Sequence, residues 1–351
     1  MNRIDNIRLY GGAIVISYLS MKLFKEGKSF FKIKKILSTK NVAVHRLPLS
    51  IVEKTNCHSN TKKFNSKFIN NIVNYYNTIK KEISHADLTI YKQNIKSLQI
   101  SEVNKLEKKN SLANYSTNDN KIQKLKKAPN KVLNHELLHM SSSFQVGDSY
   151  YMGFSQYHDS EWQKKFGNGI DEGYATLLDQ RYFEEFNYSD KYEVLSIISR
   201  MIELIVGQEK METLYFSADL YNLIETLKEY NSKSNIIKFL NNMDLLLDCD
   251  GNTIIEKYYR KKTFKDISNF LIKTYTTKQL NLLYNKIIDK TEAEKRILRM
   301  IDVLKENVEL NGKLYKLSDV SSVYKTVSKL SHVPKEEIKE KSKVYEFKFN
   351  N

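Results

Sequence analysis

The chain has 351 residues, which is enough for one large domain or two modest ones with a well-shielded core. Its 41% apolar and 28% charged residues exclude a disordered protein, and the scarcity of glycine (11) and proline (3) disfavours a loop-rich barrel and predicts a mainly helical fold. The formal net charge is +16, but the lysines are spread along the whole chain without an arginine-rich helix, so no nucleic-acid partner is expected.

The first 62 residues form a basic segment that contains one apolar run, LYGGAIVISYLSM at positions 9–21. These 13 residues carry no charge, yet a membrane-spanning helix needs about 20 apolar residues. A buried helix or strand is therefore the favoured interpretation, and membrane association through residues 9–21 is the alternative.

The cysteine content bears on the compartment. Cys57 and Cys249 form no CxxC pair, so no disulfide framework is expected and the default compartment is the cytoplasm.

Residues 63–190 mix helical and extended patterns, which predicts an α+β lobe. Apolar residues recur at helical spacing from Ser66 to Ile83, and the next segments predict strands at IKSLQI (95–100) and LANYS (112–116), then a turn and a polar edge segment. Pro129 suits the first turn of a helix through NKVLNHELLHM. VGDSYYMGFSQY (146–157) predicts an extended or hairpin segment, and a further helix starts near Gly169.

Residues 191–310 predict a helical C-terminal lobe. Its successive amphipathic helices are interrupted at Gly207, at Asn231 and at Asp250-Gly251. The remaining residues, 311–351, form a charged tail.

The segment His135-Glu136-Leu137-Leu138-His139 is an HExxH motif on a predicted helix. Residues four apart lie about 40° apart around an α-helix, so both imidazoles project toward the same ion. Glu136 lies about 100° round from His135, where it can contact a water molecule on the metal without binding the metal itself. The motif therefore predicts a zinc site in which Glu136 takes up a proton as water attacks a carbonyl.

Such a site needs a third protein ligand. Gln145 occupies the position at which a metzincin would have histidine, so that class is excluded. Glu172, in the first turn of the helix that begins near Gly169, is the favoured ligand, and His158 is the alternative. Gly173 would let this helix approach the histidine helix closely, and Thr176 and Asp179, on the face of Glu172, could orient His135 or His139.

A group that stabilises the oxyanion of a tetrahedral intermediate is also expected in the cleft. The candidates are one histidine and several tyrosines near the motif: His158, Tyr157, Tyr150, Tyr151 and Tyr174. Because the chain contains 23 tyrosines, the sequence favours none of these strongly.

The string HELLHMSSS, followed by GFSQ and DEGYATLLDQRYF, resembles the gluzincin branch of the zincin metallopeptidases, and in particular a group of small, largely uncharacterised metallopeptidases of low-GC bacteria. The resemblance covers roughly residues 110–205. It implies a zincin-like fold, with a small mixed sheet above the active helix, zinc bound by two histidines and a downstream glutamate, and a peptide or protein substrate that pairs with the edge strand LANYS.

The chain departs from the thermolysin-like members of that branch in two respects. The separation between His139 and Glu172 is longer, and DEGYATLLD replaces their NExxSD string. Two other functions therefore stay open: a non-catalytic interaction or membrane-associated protein on the same scaffold, and zinc-dependent hydrolysis of a bond other than a peptide bond.

Overall fold

The computed structural model describes residues 21–34 except 23, 66–107, 111–158, 165–183, 190–304, 307–310 and 313–316. Most of the apolar run 9–21 and the tail beyond residue 316 lie outside the described residues, so the predictions made for them stay predictions. Residues 24–34 are helical.

The lobe that contains the motif begins with two helices and a small mixed sheet. Helix α1 spans Ser66–Glu82 and α2 spans Thr89–Asn94; the strands are β1 (Gln99–Val103), β2 (Ala113–Ser116) and β3 (Lys121–Leu125). The strand order is β1-β3-β2, with β3 parallel to β1 and antiparallel to β2. The segment LANYS therefore lies at an edge of the sheet, as predicted.

Two of the strand predictions need correction. The segment predicted as a polar edge, β3, is the central strand, because it pairs with both β1 and β2. The ammonium group of its Lys124 is buried between the Glu102 carboxylate (3.2 Å) and the Ala128 carbonyl (2.7 Å). A lysine at an inward position hides the alternation of buried residues that marks a central strand. The strand predicted at 95–100 begins only at Gln99, since the preceding residues form a turn after α2.

The motif helix and the segments after it follow the predicted order. Helix α3 spans Val132–Ser141, preceded by a turn in which the Val132 N–H meets the Pro129 carbonyl, so Pro129 lies before the helix and not within its first turn. The aromatic segment forms an antiparallel meander of β4 (Ser143–Val146), β5 (Ser149–Met152) and β6 (Ser155–His158). Helix α4 then spans Asn168–Tyr182.

The rest of the described chain is helical up to residue 304. The helices are α5 (Asp190–Val206), α6 (Gln208–Phe216), α7 (Leu220–Lys228), α8 (Lys233–Asp248), α9 (Ile254–Tyr284) and α10 (Lys290–Leu304). The predicted interruptions at Gly207, Asn231 and Asp250-Gly251 are confirmed. The helical lobe predicted to reach residue 310 ends earlier, however, because strands β7 (Asn307–Leu310) and β8 (Lys313–Lys316) pair as a hairpin after α10.

One hydrophobic core runs through both predicted lobes. A single cluster of buried side chains includes members from α1, α3, α4, α8 and α10, for example Phe68, Leu137, Leu178, Leu246 and Met300. Helices α4 and α5 pack together across the predicted boundary near residue 190. The fold is thus a mixed α+β arrangement with a helical C-terminal part. Among the described residues, no helix has the length and hydrophobicity that crossing a bilayer requires.

Candidate metal centre

The HExxH motif lies on helix α3, and the packing of this helix fixes the position of the motif. Leu133, Leu137 and Met140, which the sequence puts opposite the histidines, are fully buried in the core. His135 and His139 are 8% and 3% exposed, so the face that carries the imidazoles is also enclosed. The helix is therefore fixed by apolar packing on one side while its polar side chains line an interior site.

The C-terminal end of α3 is tied down by polar contacts. The Asn94 amide donates to the carbonyls of Met140 (2.8 Å) and Ser143 (2.6 Å), which satisfies acceptors that a helix end leaves without partners. The hydroxyls of Tyr75 and Ser141 lie 2.7 Å apart in the core. These bonds fix the turn of helix that contains His139.

Helix α4 carries Glu172 and is anchored by α8. The buried Asp244 carboxylate accepts the backbone N–H groups of Gly167 (3.0 Å) and Gly169 (2.7 Å) at the start of α4. Burial raises the pKa of Asp244 to about 7, although these N–H bonds act in the opposite direction. A Cβ atom on Gly169 would lie 2.4 Å from the Met243 carbonyl oxygen, so glycine is what permits this close approach.

Gly173 also permits close packing, but against a different helix from the one predicted. A Cβ atom at this position would meet the Leu195 carbonyl oxygen of α5 at 2.5 Å. The glycine therefore brings α4 against α5 and not against the histidine helix. The reason is directional, because Gly173 lies about 100° round α4 from Glu172.

The structure brings together the three predicted ligands, His135, His139 and Glu172. The two Nε2 atoms are 3.1 Å apart, and Glu172 Oε2 lies 3.2 Å from His135 Nε2 and 3.5 Å from His139 Nε2. Two imidazole nitrogens and a carboxylate oxygen thus face a common point, and this group could hold a metal ion. Glu172 is the acid of the group, as the sequence favoured.

Asp171 supports this group and was missed by the sequence analysis. Its Oδ2 lies 3.2 Å from His139 Nδ1, and its Oδ1 accepts the Phe154 N–H at 3.0 Å. A carboxylate at Nδ1 favours a proton there and leaves the lone pair on Nε2, where it faces the other ligands. Burial by itself would lower the pKa of His139, but the nearby carboxylates outweigh it and raise that pKa well above its ordinary value.

The residues predicted for this supporting role have other contacts. The Thr176 hydroxyl donates to the Glu172 carbonyl oxygen at 2.8 Å, which is a bond within α4. Asp179 is buried, and its charge contributes to the raised pKa of Tyr75. The orienting acid is the neighbour of Glu172 in sequence, and the adjacent Asp-Glu pair was the signal available to find it.

Glu136 lies beside the ligand group, as the motif predicts. It is 9% exposed, and its carboxylate accepts the backbone N–H of Tyr115 in strand β2. Burial raises the pKa of Glu136 above its ordinary value, and the charges of His135 and His139 act against that rise. A carboxylate with a raised pKa is well suited to exchange protons near neutral pH.

The side chains predicted as oxyanion donors have different surroundings in the structure. Tyr174 is fully buried and donates its hydroxyl to Glu203 Oε2 at 2.9 Å, so its hydroxyl proton is engaged by a carboxylate of α5, and its role as an oxyanion donor stays a prediction. The Tyr157 hydroxyl donates to Asn118 Oδ1, and its ring stacks on that of Tyr150. The His158 backbone pairs with Ser149, but its side chain lies outside the described part of the structure.

A tyrosine that the sequence analysis did not consider does lie at the site. The ring of Tyr192, on α5, is 6.3 Å from the His135 ring at an interplanar angle of 88°. The charge of Glu172 is the largest cause of its strongly raised pKa, followed by burial and the charge of Glu136. Tyr192 therefore remains a neutral hydroxyl close to both carboxylates. Nothing in its sequence context distinguishes it from the other tyrosines.

Comparison with known proteins does not assign the chain to a family. No protein-family model, no curated protein and no solved structure matches the chain. The resemblance to gluzincins therefore rests on the motif residues and their spacing.

Proposed function

We propose that the chain is a zinc-dependent peptidase, as the gluzincin-like motif residues imply. The observation that carries the proposal is the convergence of His135, His139 and Glu172 with ligand atoms 3.1–3.5 Å apart. Tetrahedral ligands at the usual zinc distances of about 2.0–2.1 Å are separated from one another by about 3.3 Å. Two histidines and one glutamate are also a donor set typical of catalytic zinc, which keeps its fourth position open.

Each neighbouring residue has a role in this proposal. Zinc, when bound, lowers the pKa of a water molecule toward about 7 and polarises a substrate carbonyl. Glu136 accepts the proton of the attacking water and passes it to the leaving amine. Tyr192, in place of Tyr174, donates its hydroxyl to the oxyanion, and Asp171 keeps the His139 imidazole in the tautomer that binds metal.

The edge strand β2 supports a peptide as substrate. The Leu125 N–H donates to the Leu112 carbonyl at 2.9 Å, so alternate residues along this segment point toward β3. Ala113 and Tyr115 accordingly turn their backbone groups toward the free edge, and the Tyr115 N–H meets Glu136 there. An extended peptide that paired with Ala113 would lie beside the general base.

The Glu136→Gln variant tests the proposal. Because Glu136 is not a ligand, we expect the variant to keep its zinc and to lose at least about a hundredfold in peptide hydrolysis. The assay is cleavage of a mixed peptide library followed by mass spectrometry, with Glu209→Gln, at an exposed position on α6, as the matched control.

Two outcomes would oppose the proposal. A zinc-loaded wild type that cleaves no peptide in the library would favour the non-catalytic or non-peptide alternatives. Equal hydrolysis by the wild type and the Glu136→Gln variant would remove Glu136 from the chemistry.

A further inference from the structure

The helical segment at residues 24–34 carries an exposed aromatic ridge, defined as Phe24 and Phe31. These side chains are 64% and 70% exposed, whereas Ser29 and Ile33 are 7% and 1% exposed. At 100° per residue the two phenylalanines lie about 20° apart and about 140–180° round from the buried pair. The ridge therefore points directly away from the protein, where large apolar side chains are unfavourable in water.

Lysines flank the ridge on both sides. Lys28 and Lys34 lie about 60° on either side of Phe31 around the helix, and both are exposed. The Lys28 ammonium is 4.4 Å from the centre of the Phe24 ring. Residues 21–34 contain five lysines and a single acid, Glu26.

The one acid of this segment, Glu26, is bound to the start of α9. Glu26 accepts the backbone N–H groups of Ile254 (2.8 Å) and Ile255 (3.0 Å) and so holds the segment against the start of α9. Ser29 donates to Glu256 at 3.0 Å, which adds a second tie. The ridge is thus presented in a fixed orientation, and the surface charge around it is predominantly that of the lysines.

The apolar exposure continues onto α9. Ile254, which binds Glu26 through its N–H, is 62% exposed, and Tyr258 one turn later is 64% exposed. The exposed residues Lys257, Lys261 and Lys262 lie around Tyr258, while Asp248 and Asp250 are the exposed acids on the preceding turn. The uncharged run 9–21 ends three residues before Phe24.

We propose that this face docks on the surface of an anionic lipid bilayer. Aromatic side chains favour the boundary between headgroups and acyl chains, and lysines beside them are attracted by negatively charged lipids. A helix with apolar residues on its outer face and lysines at its margins lies in the plane of such an interface. The ridge is convex, so it offers no groove for a nucleic-acid strand. This inference is independent of the metal centre.

The experiment is co-sedimentation of the full-length protein with lipid vesicles. One set is phosphatidylcholine alone, and the other contains phosphatidylglycerol as a minor component. We expect binding to the anionic vesicles that weakens as salt is added. The double variant Phe24→Ser/Phe31→Ser should bind about tenfold or more weakly. The control Ile69→Ser/Val73→Ser, which changes two exposed apolar residues of α1, should bind like the wild type.

Several results would overturn the proposal. It fails if the wild type does not bind the anionic vesicles, or if the ridge variant binds them as well as the control does. It also fails if the ridge variant only converts a dimer into a monomer in sedimentation velocity, or if the ridge binds a single-stranded oligonucleotide in preference to vesicles. Circular dichroism and urea denaturation of the variants establish that each is folded.

Discussion

Asp171 shows how one residue can fix the state of a candidate metal ligand. It is fully buried, and one of its oxygens is held by the Phe154 N–H while the other faces His139. Gly153 makes this possible, because a Cβ atom there would lie 2.1 Å from Asp171 Oδ1. The turn between β5 and β6 therefore sets the orientation of an imidazole on α3.

Replacing Asp171 with asparagine should weaken metal binding by about 10- to 100-fold, because the carboxylate that fixes the His139 tautomer is lost. The measurement is a competition titration of zinc against a chromogenic chelator. Asp148→Asn, at an exposed position in the β4–β5 turn, is the control. Unchanged affinity in the Asp171 variant would mean that His139 is oriented by something else.

Tyr192 is the second residue whose role can be isolated. Since its hydroxyl is proposed to act only on the transition state, Tyr192→Phe should lower kcat by about a hundredfold and leave zinc content unchanged. Tyr284→Phe, at an exposed position, serves as the comparison. Peptide hydrolysis and zinc content are both measured, and a variant that keeps full activity would return the role to Tyr157 or His158.

The histidines and the glutamate of the HExxH motif were more predictable than the residues around them. Helical spacing fixes where the side chains of positions 135, 136 and 139 point, so the motif could be read directly from the sequence. The contacts of Asp171 and Tyr192 with the two histidines depend instead on packing between segments far apart in sequence. The contact of Tyr174 is of the same long-range kind, because its hydroxyl meets Glu203 on α5.

Among the elements, helix α4 depends on a partner outside itself. Asp244 of α8 accepts N–H groups at its start, and this acid has a pKa of about 7, against an ordinary value of 3.8. The folded state therefore binds this proton more tightly than the unfolded chain does. Stability from this group is present below about pH 4 and is lost as the pH rises toward 7.

The Asp244→Asn variant should remove that dependence. We compare the free energies of unfolding of the wild type and the variant. Their difference, wild type minus variant, should fall by about 1 kcal/mol per pH unit between about pH 4 and 7 and should stay constant above about pH 7. Urea denaturation across this pH range measures it, with Asp119→Asn, an exposed site, as the control. A difference that rises with pH would contradict the assigned direction of the pKa shift.

Helices were predicted more accurately than strands. Glycine and polar interruptions mark helix ends locally, and Ser232 and Thr253 indeed cap α8 and α9 with their side chains. The order of strands in a sheet depends on long-range pairing. The buried Lys124, which is held by Glu102 of the neighbouring strand, made the central strand look like an exposed one.

At the scale of the whole molecule, the candidate centre joins two parts of the sequence that share one core. Helix α3 packs beneath the small sheet, and α4 packs against the helical part through α5 and α8. Binding of an ion between α3 and α4 would therefore stabilise the entire fold and not one lobe alone.

The most direct test of the metal centre is the metal content of the purified protein. We expect about one zinc per chain in the wild type and in Glu209→Ala, and less than about a tenth of that in Glu172→Ala after dialysis against a weak chelator. Inductively coupled plasma mass spectrometry gives the number of zinc ions per chain. Full zinc content in Glu172→Ala, or none in the wild type after incubation with zinc, would contradict the assignment of these three side chains as ligands.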